Sequence, residues 1–134
     1  MASEYEPRIR QLASEARSAR DRALEEDSRD GAPESTDDAP KECATEAARD
    51  GLGSVVALYV EAKTGEEDVR LSAAELSLLH RATNDWLAVY AACYDVEFDP
   101  DYTVREAAQL LVDTHDIRET AALLTQLPER SSRT

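Results

Sequence analysis

The chain has 134 residues, 42% hydrophobic and 33% charged, which is one domain's length and the composition of a folded protein rather than a disordered one. Asp and Glu number 29 against 15 Lys and Arg, for a net charge of -14. No apolar run approaches the roughly 20 residues needed to cross a bilayer, and the N-terminus MASEYEPRIR lacks a signal peptide's apolar core, so a cytoplasmic protein without membrane attachment is expected.

In chain order, Glu4 to Glu26 is rich in helix formers, and Tyr5, Ile9, Leu12, Ala16, Ala19 and Ala23 recur at heptad-like spacing. Half of that stripe is alanine, so it is expected to bury too little area to hold the helix to a core. Arg8, Arg10, Arg17, Arg20 and Arg22 make this the one neutral-to-basic patch. It reads either as a solvated, ion-paired helix or as a docking helix for a protein or anionic nucleic acid. Residues 28–40, SRDGAPESTDDAP, have a flexible linker's composition.

Lys41 to Lys63 is expected to be helical, with Gly51 and Gly53 weakening its middle and dividing it into two pieces. Leu52, Val55, Val56, Tyr59 and Val60 form an apolar face, and Gly65 is a candidate C-cap. The β-branched run leaves a hairpin over 52–70 as the competing form. The Gly-x-Gly pair lacks the third Gly and the Lys of a phosphate loop.

Leu71 to Tyr94 is the longest segment to satisfy every local rule for one helix. Ser72 and Glu75 form a capping box. Leu76, Leu78, Leu79, Ala82, Trp86, Leu87, Val89, Tyr90, Cys93 and Tyr94 fall on a broad apolar side, with Ser77, His80, Arg81, Asn84, Asp85 and Asp95 on the opposite, polar side. Such a face is wider than a coiled-coil seam and should touch two or three other helices. Val96 to Tyr102 is a turn-rich connector; its Asp95, Glu97, Asp99 and Asp101 are spaced like calcium ligands but lack the loop's Gly and terminal Glu.

Two capping boxes follow, Thr103 with Glu106 and Asp116 with Glu119, starting helices Thr103 to Asp113 and Ile117 to Leu127. The pair resembles a helix-turn-helix, which implies DNA contacts from Arg105, Arg118, Thr120 and Gln126. The turn has no Gly and the second helix is nearly neutral, so an αα-hairpin closing a helical domain is favoured.

Only Lys41 and Lys63 are lysine, alanine is abundant, and Ile occurs only at 9 and 117. Together with the acidity, this composition resembles small cytosolic proteins of salt-in halophilic archaea. The resemblance implies that the carboxylates are a hydrated surface suited to molar salt, where a Debye length of about 3 Å screens their repulsion.

Chemistry-bearing residues are sparse. His80 and His115 read as a solvated side chain and a helix-end residue, and His80-x3-Asn84 is too small a set for a metal site. Cys43 and Cys93 are too few for a disulfide framework and read as reduced, with Cys93 a small core residue. The expectation is therefore all-α: a small helical bundle over 41–127 with a long central helix, preceded by a separate N-terminal helix (1–27) and a flexible linker (28–40), and followed by a polar tail (128–134). No catalytic residue, cofactor, metal or small-molecule substrate is expected. The expected role is an interaction or regulatory module that binds a protein partner or a second copy through Trp86 and Tyr90, with the flat Ala88, Ala91 and Ala92 surface, or through Arg8, Arg10, Arg17 and Arg20. The alternative is a DNA-binding regulator.

Overall fold

The computed structural model describes residues 5–27, 39–64, 71–94 and 100–125. Residues 28–38 of the expected linker, the Gly65 cap, most of the calcium-like spacing, Gln126 and the polar tail lie outside the described residues, whereas Ala39 and Pro40, expected to end the linker, already belong to a helix. Within them the protein is all helical: α1 (Glu6–Asp27), α2 (Ala39–Glu46), a π-helical segment (Ala47–Leu52), α3 (Gly53–Thr64), α4 (Ala73–Cys93), α5 (Val104–Thr114) and α6 (Ile117–Thr125).

The central helix, α4, starts where its capping box dictates. Ser72 Oγ accepts from the Glu75 N–H at 3.1 Å and Glu75 Oε1 accepts from the Ser72 N–H at 2.8 Å. Two apolar clusters form along its length. One gathers Ile9, Ala13 and Ala16 of α1 with Val55, Leu58, Leu79 and Val104. The other gathers Leu52, Val56, Leu87, Tyr90 and Ala91 with Ala107, Ala121 and Leu124. Trp86 and Tyr59 pack against both.

The N-terminal helix is not detached. Helix α1 makes its most extensive contact with α4, and Ile9, Ala13, Ala16 and Ala19 are buried. The alanines expected to leave it loose do the opposite, because a stripe without long side chains lets two helix backbones approach closely and exclude water along their length. That approach covers one flank of the side of α4 that a helical projection assigns to solvent. Asp85, expected to face water, is only 4% exposed.

Gly51 and Gly53 do not divide the second helical stretch. The residues flanking the π segment, Glu46 and Gly53, both have right-handed helical backbone angles, so α2 runs through the wide turn into α3. The cause is steric: the Trp86 ring occupies the space that a Cβ on Gly51 would need. A widened turn at a residue with no side chain lets the indole sit directly on the backbone. Residues 53–64 are helix, not hairpin.

Cys43 and Cys93 are not reduced. They form a disulfide with Cα atoms 5.7 Å apart, across a separation of 50 residues. Sequence spacing concealed the pairing because it depends on α2 packing against the end of α4.

His80 and Asn84 hold the connector rather than facing water freely. The Val104 N–H donates to His80 Nδ1 at 3.0 Å, the Tyr102 N–H donates to Asn84 Oδ1 at 2.8 Å, and Asn84 Nδ2 donates to the Tyr102 carbonyl at 2.9 Å. Helix α5 begins with the expected box, Thr103 Oγ1 accepting from the Glu106 N–H at 3.0 Å and Glu106 Oε1 from the Thr103 N–H at 2.8 Å. The start of α6 differs from expectation. Asp116 Oδ1 accepts from the Arg118 N–H at 2.9 Å, while the Asp116 N–H donates to Thr114 Oγ1 at 3.1 Å, so Thr114 rather than Glu119 receives the N-cap amide. Between the helices, His115 takes the left-handed conformation, with φ 59°.

Candidate functional site

Two helices with small residues on their facing sides leave a shallow groove between their outer rims. The groove between α1 and α4 has a volume of about 680 Å³. Its rim carries Arg10 and Arg17 of α1 and Arg81 of α4, its hydroxyls come from Ser14, Ser18 and Ser77, and its apolar floor is Ala13, Ala74 and Leu78. The placement follows from helical spacing. Arg10, Ser14 and Arg17 are separated by four and three residues on α1, as are Ala74, Leu78 and Arg81 on α4, so each set forms one ridge.

Beside this rim an ion cluster centres on one buried carboxylate, with its arginines partly exposed. Arg17 Nε is 3.3 Å from Asp85 Oδ2 and Arg20 Nε is 3.7 Å from Asp85 Oδ1. Asp85 Oδ2 receives no aligned hydrogen bond, so proximity of charge rather than hydrogen-bond geometry makes the pairing. Burial pushes the Asp85 carboxyl above its ordinary value of 3.8, and the arginines Arg17, Arg20 and Arg81 pull it back only in part. A carboxylate held in this way is costly to bury and orients the guanidinium groups around it.

The groove differs from the other clefts in its charge. About 290 Å³ of space beside Tyr90 and Tyr94 mixes Arg118 with Asp116 and Glu119. A cleft of about 360 Å³ along α1 and α3 mixes Arg8 with Glu15. Among the described residues the α1–α4 groove is lined by three arginines and no carboxylate, in a chain with 29 Asp and Glu.

The residues expected to bind partners are thus distributed unequally. Arg10 and Arg17 line the groove, and Arg20 anchors it through Asp85. Arg8 turns toward α3, 3.4 Å from Glu61 and over the Tyr5 ring. Tyr90 is 5% exposed and Trp86 is packed between the two clusters; Ala88 and Ala91 are buried as well. Of the flat surface expected there, Tyr90 and Ala91 pack into the core with Ala44, Ala47 and Ala48 of α2 and the π segment, while Ala92 is half-buried. Of the residues considered for DNA, Arg105 and Arg118 are exposed. Thr120 is fully buried and spends its hydroxyl on Asp116 and Thr114, so it cannot reach a base. Val112 and Leu123, 66% and 45% exposed, are open apolar surface on α5 and α6.

Arg81 and the three serines were not singled out as site residues by sequence reasoning, and Asp85 was placed on the water-facing side of its helix. The available signal was Arg81-x3-Asp85 on one helix and Arg17-x2-Arg20 on another, a charge pattern that acquires meaning only once the two helices are paired. No helix among the described residues is long and apolar enough to cross a membrane. Neither curated proteins nor solved structures yield a match. Residues 3–129, spanning α1, the linker and everything through α6, match the family described as a domain of unknown function, DUF8055, and the chain belongs to that family.

Proposed function

We propose that this chain is a non-enzymatic helical interaction and regulatory module whose contact site is the groove between α1 and α4, and that it recognises an anionic partner. One observation carries this: three arginines line the groove and no carboxylate does among the described residues, in a chain of net charge -14. Such a distribution opposes the average field of the molecule, and a local cationic site in an acidic surface selects for negatively charged groups. The lining offers donors and positive charge but no imidazole, carboxylate or thiol, which suits binding and not acid–base or nucleophilic chemistry.

On composition we place the protein in the cytoplasm of a cell with molar internal salt. The Cys43–Cys93 bond is unusual in a reducing compartment. Alkylation of thiols in intact cells tests the placement, since a fully oxidised pair would move the protein to an oxidising one.

The functional test is tagged capture from native extract in molar KCl, comparing the natural chain with an Arg10→Glu, Arg81→Glu variant. An anionic partner retained by the natural chain and lost by the variant is expected; equal retention overturns the proposal. The alternative is a helix-turn-helix regulator, favoured by the tight α5–α6 turn in which His115 adopts the left-handed conformation that a turn glycine would take. DNA fragments lost on Arg105→Glu with Arg118→Glu, and kept when Arg10 and Arg81 are changed, would select it.

A further inference from the structure

We propose that the anion taken by the α1–α4 groove is a phosphate ester of mononucleotide size, its phosphate held by Arg10, Arg17 and Arg81 and its organic part laid on Ala74 and Leu78. This rests on the reading of the groove as the contact site and narrows it to one ligand chemistry.

The arginines are available to a ligand to different degrees, and all three can contribute. Arg81 makes no ion pair or hydrogen bond among the described residues, yet it lies close enough to Asp85 to be felt by that carboxyl. Arg10 pairs with Glu6 one helical turn away at 3.0 Å, with 70% of its side chain exposed, a surface contact that a stronger acceptor displaces at little cost. Arg17 meets Asp85 through Nε. A guanidinium carries five N–H donors in a fixed plane, so an Asp85 contact at Nε fixes the plane while other donors remain for the groove.

Three guanidiniums, with no side-chain carboxylate among the described lining residues, make a donor set matched to tetrahedral or multiply charged oxyanions, which accept paired N–H donors. The apolar lining distinguishes an ester from the inorganic ion: the accessible surface of Ala74 and Leu78 has nothing to offer a bare anion, whereas a base or sugar placed on it removes apolar surface from water. Paired hydrogen bonds combined with apolar contact also survive salt better than a diffuse electrostatic attraction, which molar KCl screens.

The test is calorimetric titration of the full chain with AMP, ATP, adenosine, inorganic phosphate and a polyglutamate peptide, in roughly 0.1 M and 2 M KCl. Saturable one-to-one binding of AMP or ATP is expected, stronger than that of adenosine or phosphate alone. Arg81→Gln and Arg10→Gln should each weaken it about tenfold, the loss of one charge-assisted contact, with unchanged circular dichroism and melting. Absence of saturable nucleotide binding, or nucleotide affinity indifferent to both variants, overturns the inference. If the peptide binds through these arginines while nucleotides do not, the groove stands as contact site and the phosphate-ester assignment falls. If neither binds, both fall.

Discussion

Arg17 Nε lies 3.3 Å from Asp85 Oδ2 and Arg20 Nε lies 3.7 Å from the other oxygen of the same carboxylate, so two cations of α1 close over one buried anion of α4. The relationship joins the protein's fold to its proposed activity. The pairing that fastens α1 to α4 also fixes the plane of a guanidinium that lines the groove between them.

The cluster has a predictable pH signature. A carboxyl with a folded pKa above its unfolded value binds its proton more tightly when folded, so stability from that group is present at low pH and is lost as pH rises through the folded pKa. Burial raises the Asp85 pKa above 3.8. Asp85→Asn, which imitates the protonated form, should therefore be more stable than the natural chain at neutral pH, and the difference should shrink as pH falls toward 3.8. Urea unfolding across that range measures it. A variant less stable at every pH would show that the charged pair stabilises the fold.

Gly51 and Trp86 pack directly against each other between the π segment and α4. Gly51→Ala puts a methyl group where the indole ring stands and should cost about 1–3 kcal/mol despite alanine's better helix propensity. The single Trp reports the displacement through its emission. An unchanged unfolding midpoint and spectrum would contradict this packing.

Reducing the Cys43–Cys93 bond, or changing Cys43 to Ser, releases a closed segment with a sequence separation of 50 and should cost about 2–4 kcal/mol. The corresponding fall in melting temperature is on the order of 10 °C. Scanning calorimetry with and without reductant measures it, and coincident melting curves would show that the bond adds nothing.

Asn84→Ala removes partners from both the N–H and the carbonyl of Tyr102 and should cost about 1–3 kcal/mol. Hydrogen exchange should rise at the Tyr102 amide and over the first turn of α5, whose Val104 N–H is held by the neighbouring His80. Unaltered exchange there would mean that the connector is held by its apolar contacts instead.

How far the sequence could be read depended on the range over which each rule acts. The boxes at Ser72 and Thr103 and the extent of α4 were legible because capping and amphipathicity are local. The burial of Asp85 was not, because a projection of one helix cannot know which other helix covers its polar flank. The same reason hid the role of α1: alanine spacing shows small area, and only the paired structure shows close approach. Gly51 marked a weak place in a helix, and Trp86, remote in sequence, turned it into a socket. The cysteines were misread by a rule about their number and spacing, which carries no information on whether α2 meets the end of α4. Of the groove, Arg10 and Arg17 were visible as part of a basic patch, while Arg81 needed the second helix in place.

The most direct test of the account is nuclear magnetic resonance of the labelled full chain titrated with its captured partner or with ATP, following backbone amides and arginine Nε signals. Perturbations confined to residues 10–18 and 74–81, with the Arg17 and Arg81 side chains among them, are predicted. Perturbations centred instead on Arg105 and Arg118, with 10–18 and 74–81 unmoved, would contradict it and move the contact site to the α5–α6 hairpin.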